Sequence, residues 1–351
     1  MGINFSIGVL GGGQLGMFIS QAAKKLNIDV SIFSDKIECS AKKFCKSFFY
    51  GDFNDLDMLD DFLKTVDVVT IETENLPLNS LKYIEKKKKL RPSWKVISKA
   101  QNRIVEKKFL NSIPNINTAP YLEINNFGDL QKTIKKFGET IIKTTELGYD
   151  GKGQFKVNKN NLSKFKNFSL KNFVGEKIID FKKEISVIIV ADQFGGHIIY
   201  PAVENIHKRS ILDQTKFPPN ISKKVKNNAQ SYAINIAREI KLIGIMAIEM
   251  FLLKDDTLLI NELAPRPHNS GHWTLDCCKV SQFENLVLSI SNQKIKDPGI
   301  YQGGIMKNVI GNEYRLRDKF KKKYIFYDYY KKDIKPNRKM AHYIETNKIE
   351  L

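Results

Sequence analysis

The sequence predicts an N-terminal α/β domain with a doubly wound parallel sheet, followed by a region of mixed α+β structure. Three observations favour this fold class. A short apolar strand leads through a glycine turn into a helix whose apolar residues recur at helical spacing. Further apolar strands alternate with helices up to about residue 95. Later in the chain, apolar strands follow one another directly, which indicates antiparallel pairing.

Each expected element has a local reason. The first strand is the apolar run before Gly11, and the second ends at the turn formers Ser34-Asp35. Strands on both sides of 145–153 flank a glycine-rich loop. The last two strands form a hairpin around a polar turn. Strands are expected at 4–10, 29–33, 67–71, 140–144, 154–157, 184–191, 197–203, 244–253 and 257–263, and helices from 14 onward, at 102–111 and at 229–241.

Composition restricts the class of protein. The 351 residues are 42% hydrophobic and 11% aromatic, which supplies a large core and excludes wholesale disorder. No apolar run approaches the roughly 20 residues that cross a bilayer, and we find no secretory signal pattern at the N-terminus. The four cysteines form no CxxC pair, so neither a disulfide framework nor a zinc site is predicted. We therefore expect a cytoplasmic protein without a membrane partner.

The chain is strongly basic, since 57 Lys+Arg against 38 Asp+Glu give a net charge of +19. This charge suits nucleic acid, a membrane surface or phosphate-rich ligands, and equally reflects a general richness in lysine. Aromatic residues do not interleave with the basic runs in an RNA-binding pattern, so no nucleic-acid partner is expected. The basic segment 315–339 is a candidate phosphate-facing surface.

The first glycine turn, Gly11-x-Gly13-x-x-Gly16, follows a strand and opens a helix, as in the dinucleotide-binding fingerprint. Asp35, at the end of the second strand, lies about where a ribose-binding acid would. A nicotinamide-dependent oxidoreductase is therefore one hypothesis. The alternative is a tight strand–helix turn whose glycines serve packing alone.

A second glycine-rich segment, 148–153, follows Lys143 at a strand end. A lysine and the main-chain amides of a glycine loop can together neutralise the phosphates of a nucleoside triphosphate. The segment lacks the GxxxxGK[ST] spacing of a P-loop. A mobile flap over a nucleotide is the functional interpretation, and a plain hairpin turn is the alternative.

Two carboxylates are expected to face each other in the last predicted hairpin. With a turn centred on 255–256, Lys254 pairs with Thr257 and Glu249 pairs with Glu262. Opposed carboxylates with apolar neighbours repel each other and need a cation or a shared proton, and Mg²⁺ is the expected ion beside a nucleotide. A register slip of one residue would abolish this pairing, and a solvated hairpin rim is the alternative.

The loop that ends this hairpin, Asn261 to Thr274, reads NELAPRPHNSGHWT. Its Arg266, two histidines, asparagine and serine lie within seven residues, which suits the binding of a small oxyanion. A zinc site through His268 and His272 is disfavoured, because a proline and a glycine oppose a helix there and no third ligand is evident.

Together these motifs resemble those of the 5-(carboxyamino)imidazole ribonucleotide synthetases, which are ATP-grasp enzymes of purine synthesis. The resemblance covers nearly the whole chain, and the block NELAPRPHNSGHWT is its most specific part. The matching segments, in order, are GGGQLG (11–16), GYDGKGQ (148–154), the strand containing Glu249, NELAPRPHNSGHWT (261–274) and KPNRK (335–339). The fold implied is a Rossmann-like preATP-grasp domain at 1–100, an ATP-grasp domain at 101–300 with α+β lobes at about 101–178 and 179–300, and a small basic C-terminal domain at 301–351.

The resemblance implies a ligase reaction. ATP converts bicarbonate to carboxyphosphate, which carboxylates aminoimidazole ribonucleotide with release of ADP and phosphate. The cofactors implied are ATP and Mg²⁺, the partners implied are these small molecules, and the implied assembly is a homodimer. The alternatives are another ATP-grasp ligase such as a formate-dependent glycinamide ribonucleotide transformylase, a nicotinamide-dependent oxidoreductase, and a basic nucleic-acid-binding protein.

The resemblance also implies roles for individual residues. The expected ATP-binding residues are Arg103, Lys107, Lys143, Gly148, Asp150, Gly151, Gly153, Glu176, Lys177, Ile179, Glu184 and Asn261. The expected Mg²⁺ ligands are Glu249 and Glu262, and the expected catalytic residues around bicarbonate are Arg266, His268, Asn269 and Lys339. The expected contacts of the ribonucleotide are Gln14, Leu15, Glu74, Tyr149, Lys152, Arg338 and Lys339.

Overall fold

A computed structural model describes residues 5–147 and 153–348 of the chain. Its first unit is a five-stranded parallel sheet in the order β3-β2-β1-β4-β5. The strands are β1 (Ser6–Leu10), β2 (Asp29–Ser34), β3 (Ser47–Tyr50), β4 (Val68–Ile71) and β5 (Lys89–Leu90), and the helices are α1 (Gln14–Lys25), α2 (Leu56–Leu63), α3 (Leu78–Lys87) and α4 (Trp94–Gln101). The predicted doubly wound α/β domain is confirmed.

The second unit is a four-stranded antiparallel sheet in the order β6-β9-β7-β8, with a small apolar core of its own. Its strands are β6 (Tyr121–Ile124), β7 (Thr140–Thr144), β8 (Gln154–Val157) and β9 (Phe173–Lys177), it carries α6 (Phe127–Phe137), and α5 (Arg103–Asn111) precedes it. Asn102 starts α5, because its side chain accepts hydrogen bonds from the amides of Ile104 and Val105. This cap fixes the helix that carries Arg103 and Lys107.

The third unit is an eight-stranded sheet in the order β14-β13-β10-β11-β12-β15-β17-β16, antiparallel throughout. The strands are β10 (Phe181–Ala191), β11 (His197–Lys208), β12 (Ile211–Phe217), β13 (Gly244–Leu253), β14 (Leu258–Ala264), β15 (Gly303–Ile310), β16 (Ile325–Asp328) and β17 (Lys339–Asn347). The helices are α7 (Lys223–Glu239), α8 (Thr274–Cys277), α9 (Gln282–Ile290) and α10 (Arg317–Lys323), and 3-10 turns lie at Ser40–Lys43, Leu162–Phe165, Asn269–Gly271 and Gly311–Leu316.

The two faces of the eight-stranded sheet pack against different partners. Ile185 and Val187 on β10 belong to the apolar core that includes α7. Ile188 and Val190 on the same strand belong to a core that also contains Phe18 of α1. The N-terminal domain and the large sheet therefore share one continuous core, which holds α1 and its glycine turn beside the sheet.

The segment after residue 300 continues the large sheet. Residues of β12 pair with β15, and β15 in turn pairs with β17. The basic segment expected as a separate small domain thus contributes three strands to the sheet that contains β10 to β14, while the domain boundaries themselves stay a prediction. In the described part of the chain, we find no helix long and apolar enough to cross a membrane.

Candidate active site

A cleft of about 1130 Å³ is bordered by the N-terminal domain, both antiparallel sheets and the start of β17. Many of the residues expected to act in catalysis or binding line it. They are Gln14, Leu15, Glu74, Arg103, Lys143, Glu184, Glu249, Asn261, Glu262, Arg266, His268, Asn269, Arg338 and Lys339. Elements far apart in the sequence therefore bring the predicted site together.

Other expected residues do not line this cleft. Lys107, Gly153, Glu176, Lys177 and Ile179 lie outside its lining, and Lys107 and Glu176 are buried. The predicted flap residues Gly148, Tyr149, Asp150, Gly151 and Lys152 lie outside the described residues. The roles of both groups stay predictions.

Glu176 on β9 holds the two predicted phosphate-binding lysines side by side. Its carboxylate oxygens lie 2.9 Å from Lys143 Nζ and 3.3 Å from Lys107 Nζ. Burial alone would raise the pKa of Glu176, but the two ammonium groups outweigh this and lower it to about 2. Of the three side chains, only Lys143 lines the cleft, and Lys107 lies behind Lys143.

The expected adenine hinge follows directly after Glu176. The main-chain amide of Lys177 donates to the carbonyl of Pro120 at 2.9 Å, so in this conformation it serves the fold. Ile179 is half-buried in the short connection between β9 and β10. An adenine base would therefore rely on other main-chain groups of this connection.

The hairpin of β13 and β14 confirms that Glu249 and Glu262 face each other, but its register next to the turn differs from the predicted one. Glu249 pairs with Glu262, but Leu252 pairs with Leu258, one residue out of the predicted register. The predicted pairing of Lys254 with Thr257 is wrong, because the turn contains the three residues 254–256 instead of two.

A bulge restores the register at the site. Met250 pairs with Ile260 while Glu249 pairs with Glu262, so Asn261 is the extra residue of β14. Asn261 and Glu262 both line the cleft, although neighbouring residues of a regular strand point to opposite faces. The bulge thus aims an amide and a carboxylate at the same space.

Three carboxylates meet at this hairpin. Burial and the facing Glu262 raise the pKa of Glu249 to about 7. Burial and Glu262 likewise raise the pKa of Glu106, on α5, to about 8. Glu106 also accepts a hydrogen bond of 2.7 Å from the amide of Leu263, which ties α5 to β14. Glu106 is absent from the predicted residues, although it stands between Arg103 and Lys107 in the sequence.

The carboxylate pair fits a magnesium ion. Mutually repelling carboxylates are stabilised by a divalent cation, and Mg²⁺ usually takes one or two protein carboxylates together with substrate phosphates. In the described residues no cluster of three or more acidic, histidine or cysteine side chains has metal-binding geometry. Glu249 and Glu262 would therefore supply only part of the coordination.

Arg266 joins the loop after β14 to the N-terminal domain. Its guanidinium contacts Glu74 through two nitrogens, with Nη2 at 3.0 Å from Oε1. Burial would raise the pKa of Glu74, and the guanidinium outweighs this and lowers it. The predicted oxyanion ligand Arg266 and ribonucleotide ligand Glu74 thus form one bidentate ion pair.

His268 and Asn269 are held by hydrogen bonds on both sides. His268 Nε2 lies 3.2 Å from Glu249 Oε1, and its Nδ1 lies 2.8 Å from Ser270 Oγ. Burial and the nearby charge of Arg266 hold the pKa of His268 well below its usual range. Asn269 exchanges two amide hydrogen bonds with Asn308. The neighbouring side chains therefore fix both predicted catalytic residues in place.

His272 does not join His268 in a metal site. Its ring is fully buried and packs against Phe18 and His342, with centroids 5.1 and 4.8 Å away. Burial lowers the pKa of His272 to about 3, so the ring is neutral. The zinc alternative is not supported by this packing.

The first glycine turn receives a carboxylate from within the protein. The amides of Gly13 and Gly16 donate to Glu72 at 2.5 and 2.8 Å. A methyl group on Gly13 would lie 2.7 Å from Glu72 Oε1, and one on Gly11, whose φ is +109°, would lie 2.2 Å from Glu72 Cγ. The glycines make room for Glu72 where a dinucleotide pyrophosphate would bind, which contradicts the nicotinamide hypothesis.

Glu184 meets a residue that the sequence analysis did not select. His207 on β11 contacts the Glu184 carboxylate through Nδ1. Burial would lower the pKa of His207, but the contact with Glu184 outweighs it and raises the pKa. Asn205 on β11 pairs with Glu184 across the strands, so the register brings the histidine two residues further on to the same face.

Lysine and arginine side chains are concentrated at the end of the cleft formed by the start of β17. Lys331 Nζ donates to the carbonyl of Lys339 at 2.7 Å, and the carbonyl of Arg338 accepts from Gly311 at 2.9 Å. Basic side chains of the N-terminal domain line the same cleft. Among the described residues, the lysines and arginines that line it are Lys36, Lys42, Lys43, Arg103, Lys143, Arg266, Lys331, Lys332, Arg338 and Lys339.

Comparison with known proteins agrees with this geometry. The ribonucleotide synthetase preATP-grasp domain family matches residues 5–101, and the ATP-grasp domain family matches residues 110–283. The chain is 32% identical over 342 residues to the N5-carboxyaminoimidazole ribonucleotide synthase of Bacillus subtilis, covering 96% of this chain and 90% of that protein. The chain belongs to the N5-carboxyaminoimidazole ribonucleotide synthase family. As the predicted resemblance implied, it is an ATP-binding ligase of purine biosynthesis that forms a C–N bond.

Three further matches support the assignment. The bifunctional purine synthesis protein purC/E of Dictyostelium discoideum is 34% identical over 364 residues. That alignment covers 96% of this chain but only 36% of the Dictyostelium protein. An ADP complex of an N5-carboxyaminoimidazole ribonucleotide synthetase has a TM-score of 0.94 at 31% identity, covering 98% of this chain and 93% of the other. The Aspergillus clavatus synthase in complex with ADP and 5-aminoimidazole ribonucleotide has a TM-score of 0.90 at 30% identity, covering 98% and 94%. The predicted fold class is thereby confirmed.

Proposed function

We propose that the cleft carries out the family reaction with the residues brought together here. The reaction is the ATP-dependent carboxylation of 5-aminoimidazole ribonucleotide, and bicarbonate, activated as carboxyphosphate, supplies the carboxyl group. The products are N5-carboxyaminoimidazole ribonucleotide, ADP and phosphate. The observation that carries this proposal is the facing pair Glu249 and Glu262 beside the loop of Arg266, His268 and Asn269.

The ATP phosphates would lie between the four-stranded sheet and the carboxylate pair. Lys143 and Arg103 line the cleft and supply positive charge, while Glu176 holds Lys143 in position. Glu249 and Glu262 would hold Mg²⁺, which neutralises charge on the transferring phosphoryl group. Glu184, anchored by His207, would bind the ribose of the nucleotide, and the amide of Asn261 points into the same cleft through the bulge.

Bicarbonate would bind at the loop after β14. Arg266 offers a guanidinium whose orientation is fixed by Glu74, and His268 offers a neutral imidazole. Phosphoryl transfer to a bicarbonate oxygen depends on positioning and on neutralising charge rather than on covalent catalysis by the protein. The hydrogen bonds of His268 to Ser270 and of Asn269 to Asn308 hold both side chains in place, which suits this requirement.

The ribonucleotide would enter from the N-terminal domain. Its phosphate would lie among Arg338, Lys339 and the neighbouring lysines of the cleft, and its base would approach Glu74, Gln14 and Leu15. Glu72 already occupies the amides of the glycine turn, so the phosphate is directed to the basic side chains instead. Tyr149 and Lys152 stay predicted contacts outside the described residues.

The decisive measurement is ADP and phosphate release from Mg-ATP, with and without 5-aminoimidazole ribonucleotide and bicarbonate. We expect release that requires the ribonucleotide and increases with bicarbonate. Formate with glycinamide ribonucleotide is the matched control for another ATP-grasp specificity. Turnover with the control pair alone would reject the proposed substrates, and ATP binding without any turnover would reject the proposed reaction.

We also propose that the protein acts as a cytoplasmic homodimer, as the resemblance implies. Sedimentation equilibrium across a tenfold concentration range measures the assembly directly. We expect a mass of twice the 40.3 kDa chain. A single species at the chain mass under assay conditions would contradict the dimer.

A further inference from the structure

The side chain of Gln282, the first residue of α9, holds the main chain of His268. The amide of His268 donates to Gln282 Oε1 at 3.0 Å, and the carbonyl of His268 accepts from Gln282 Nε2 at 2.8 Å. Nε2 also lies 3.4 Å from Nδ1 of His272. A main-chain N–H only donates and a carbonyl only accepts, so these contacts fix which end of the carboxamide faces each group. Gln282 is fully buried and does not line the cleft.

Local structure holds Gln282 itself in place. α9 begins with a capping box, in which Ser281 and Glu284 exchange hydrogen bonds between side chain and main chain. The main-chain amide of Gln282 donates to Thr274 Oγ1 at 3.1 Å, and that hydroxyl donates to the carbonyl of Gly271 at 2.6 Å. A methyl group on Gly271 would lie only 2.6 Å from Gln282 Nε2. The loop after β14 can therefore pass this close to Gln282 because residue 271 has no side chain.

The peptide group between Pro267 and His268 connects Gln282 to Arg266. Its N–H donates to Gln282, and its carbonyl, on Pro267, accepts from Arg266 Nη1 at 3.1 Å. A peptide group is planar, so fixing the direction of its N–H also fixes the direction of its carbonyl. Among the described residues, Gln282 is the hydrogen-bond partner of this N–H. Gln282 therefore influences the direction of the Arg266 guanidinium through one peptide group.

The next peptide group, between His268 and Asn269, is held as well. The carbonyl of His268 accepts from the amide of Gly271 at 3.0 Å in addition to Gln282 Nε2. The planes of the two peptide groups set φ and ψ of His268, and hence the direction in which its side chain leaves the main chain. Because the carbonyl has a second partner, the loss of Gln282 would mainly release the peptide that Arg266 contacts.

A second carboxamide on the same helix makes the same pair of contacts elsewhere. Asn285 Oδ1 accepts from the amide of Lys296 at 2.8 Å, and Asn285 Nδ2 donates to the carbonyl of Lys296 at 2.8 Å. Nδ2 also donates to Tyr200 Oη at 2.8 Å. Asn285 is fully buried like Gln282, but neither Asn285 nor Lys296 lines the cleft. Asn285 therefore provides a matched comparison for the contact at the candidate site.

We propose that Gln282 is a positioning residue for the reaction, because its contacts with the main chain of His268 hold Arg266, His268 and Asn269 in the arrangement that receives bicarbonate. This inference rests on the proposed function, in which these three side chains surround bicarbonate and carboxyphosphate. Phosphoryl transfer to a bound oxyanion depends on alignment, and a displacement of about 1 Å can lower the rate about 100-fold. Gln282 contributes to this alignment from outside the cleft.

Two matched variants separate positioning from stability. Gln282→Met removes the contacts with His268 at similar side-chain size, and Asn285→Leu does the same at Lys296. Both should lower the melting temperature, because each leaves a buried main-chain N–H without its partner. Only Gln282→Met should lower kcat/KM for bicarbonate, by about 10- to 100-fold, while the KM for ATP stays within about twofold. Equal kinetic losses in the two folded variants, or none in folded Gln282→Met, would overturn the proposal.

Hydrogen exchange at the His268 amide measures the contact without turnover, so its outcome is distinguishable from failure of the proposed function. Labelling with ¹⁵N-histidine restricts the amide spectrum to the five histidines, and His268→Gln identifies the signal of His268. We expect protection in the wild-type protein, exchange at least about tenfold faster in Gln282→Met, and wild-type exchange in Asn285→Leu. A wild-type His268 amide that exchanges as in an unstructured chain, or unchanged exchange in Gln282→Met, would overturn the proposal.

Discussion

Two acidic centres line the same cleft and differ in what surrounds their carboxylates. Glu72 accepts hydrogen bonds from two main-chain amides at the start of α1. Glu249 faces Glu262 across the β13–β14 ladder, with Glu106 as a third carboxylate nearby. The two amides favour the charged form of Glu72, although burial outweighs them and raises its pKa, whereas facing carboxylates favour a cation. The comparison separates an acid whose hydrogen-bond partners are main-chain amides of the fold from a pair that we propose to bind a cation.

The largest effect is expected when the pair is broken. Glu262→Gln removes one negative charge at nearly constant volume and should lower kcat by at least about 10³-fold, or about 4 kcal/mol. The free energy of unfolding without metal should stay equal or rise, because the repulsion with Glu249 is relieved. Steady-state ADP release and thermal unfolding with and without Mg²⁺ measure both. A variant with normal kcat would contradict the metal role.

The next effect concerns the ion pairs of Glu176. Glu176→Gln leaves Lys107 and Lys143 without their buried counter-charge and should lower the free energy of unfolding by about 3 kcal/mol. Because the pKa of Glu176 is lowered from 4.5 to about 2, its stabilisation is complete above pH 4.5 and is lost as the pH falls toward 2. Urea unfolding of both proteins across this range should show their difference shrinking.

The matched change at the glycine turn should act on the fold more than on turnover. Glu72→Gln replaces one acceptor of the two amides by an NH₂ group, and should lower the free energy of unfolding by about 1–2 kcal/mol. We expect kcat to fall less than tenfold, in contrast to Glu262→Gln. A loss of kcat as large as that of Glu262→Gln, with unchanged stability, would place Glu72 among the catalytic groups.

The smallest effect sets the scale for the others. Asp180 and Lys254 form a surface ion pair at 2.6 Å, and their side chains are 81% and 73% exposed. Asp180→Asn should change the free energy of unfolding by less than about 0.5 kcal/mol, because solvent screens the pair. A change above about 2 kcal/mol in urea unfolding would show that charge at the protein surface matters as much as buried charge here.

The hairpin shows how sequence reasoning can reach a correct pairing through an incorrect register. The alternation of apolar residues located β13 and β14, but turn length and bulge position depend on contacts beyond the hairpin. A three-residue turn shifted the pairs by one, and the bulge at Asn261 shifted them back. Glu249 and Glu262 therefore face each other as predicted, while the pairing next to the turn differs.

The glycine turn shows a different limit. The spacing of Gly11, Gly13 and Gly16 correctly predicted a close approach to the start of α1, but the approaching group is Glu72 of this chain. A pattern of glycines indicates that some group approaches the backbone closely, but it does not identify that group. Glu106 and His207 were missed for a related reason, since their partners lie in distant strands and helices.

Local sequence patterns also could not predict which distant strands pair with each other. The basic segment after residue 300 has few local signals of a sheet, yet its strands extend the one that carries Glu249. The order of strands depends on which edges are free when they meet, which no periodicity encodes. The family resemblance, by contrast, predicted residues from distant segments that line one cleft, because its motifs are specific in order and composition.

The position of β17 has a consequence for biosynthesis. β17 lies between β15 and β16, and β16 pairs in the large sheet through β17 alone among the described strands. The ribosome synthesises β15 and β16 before residues 339–347, so this edge of the sheet stays incomplete until β17 inserts between them. Arg338 and Lys339, at the start of that strand, reach the cleft at the same step. The nascent chain therefore gains its candidate phosphate site only when the sheet is closed, after the ATP-grasp lobes have emerged.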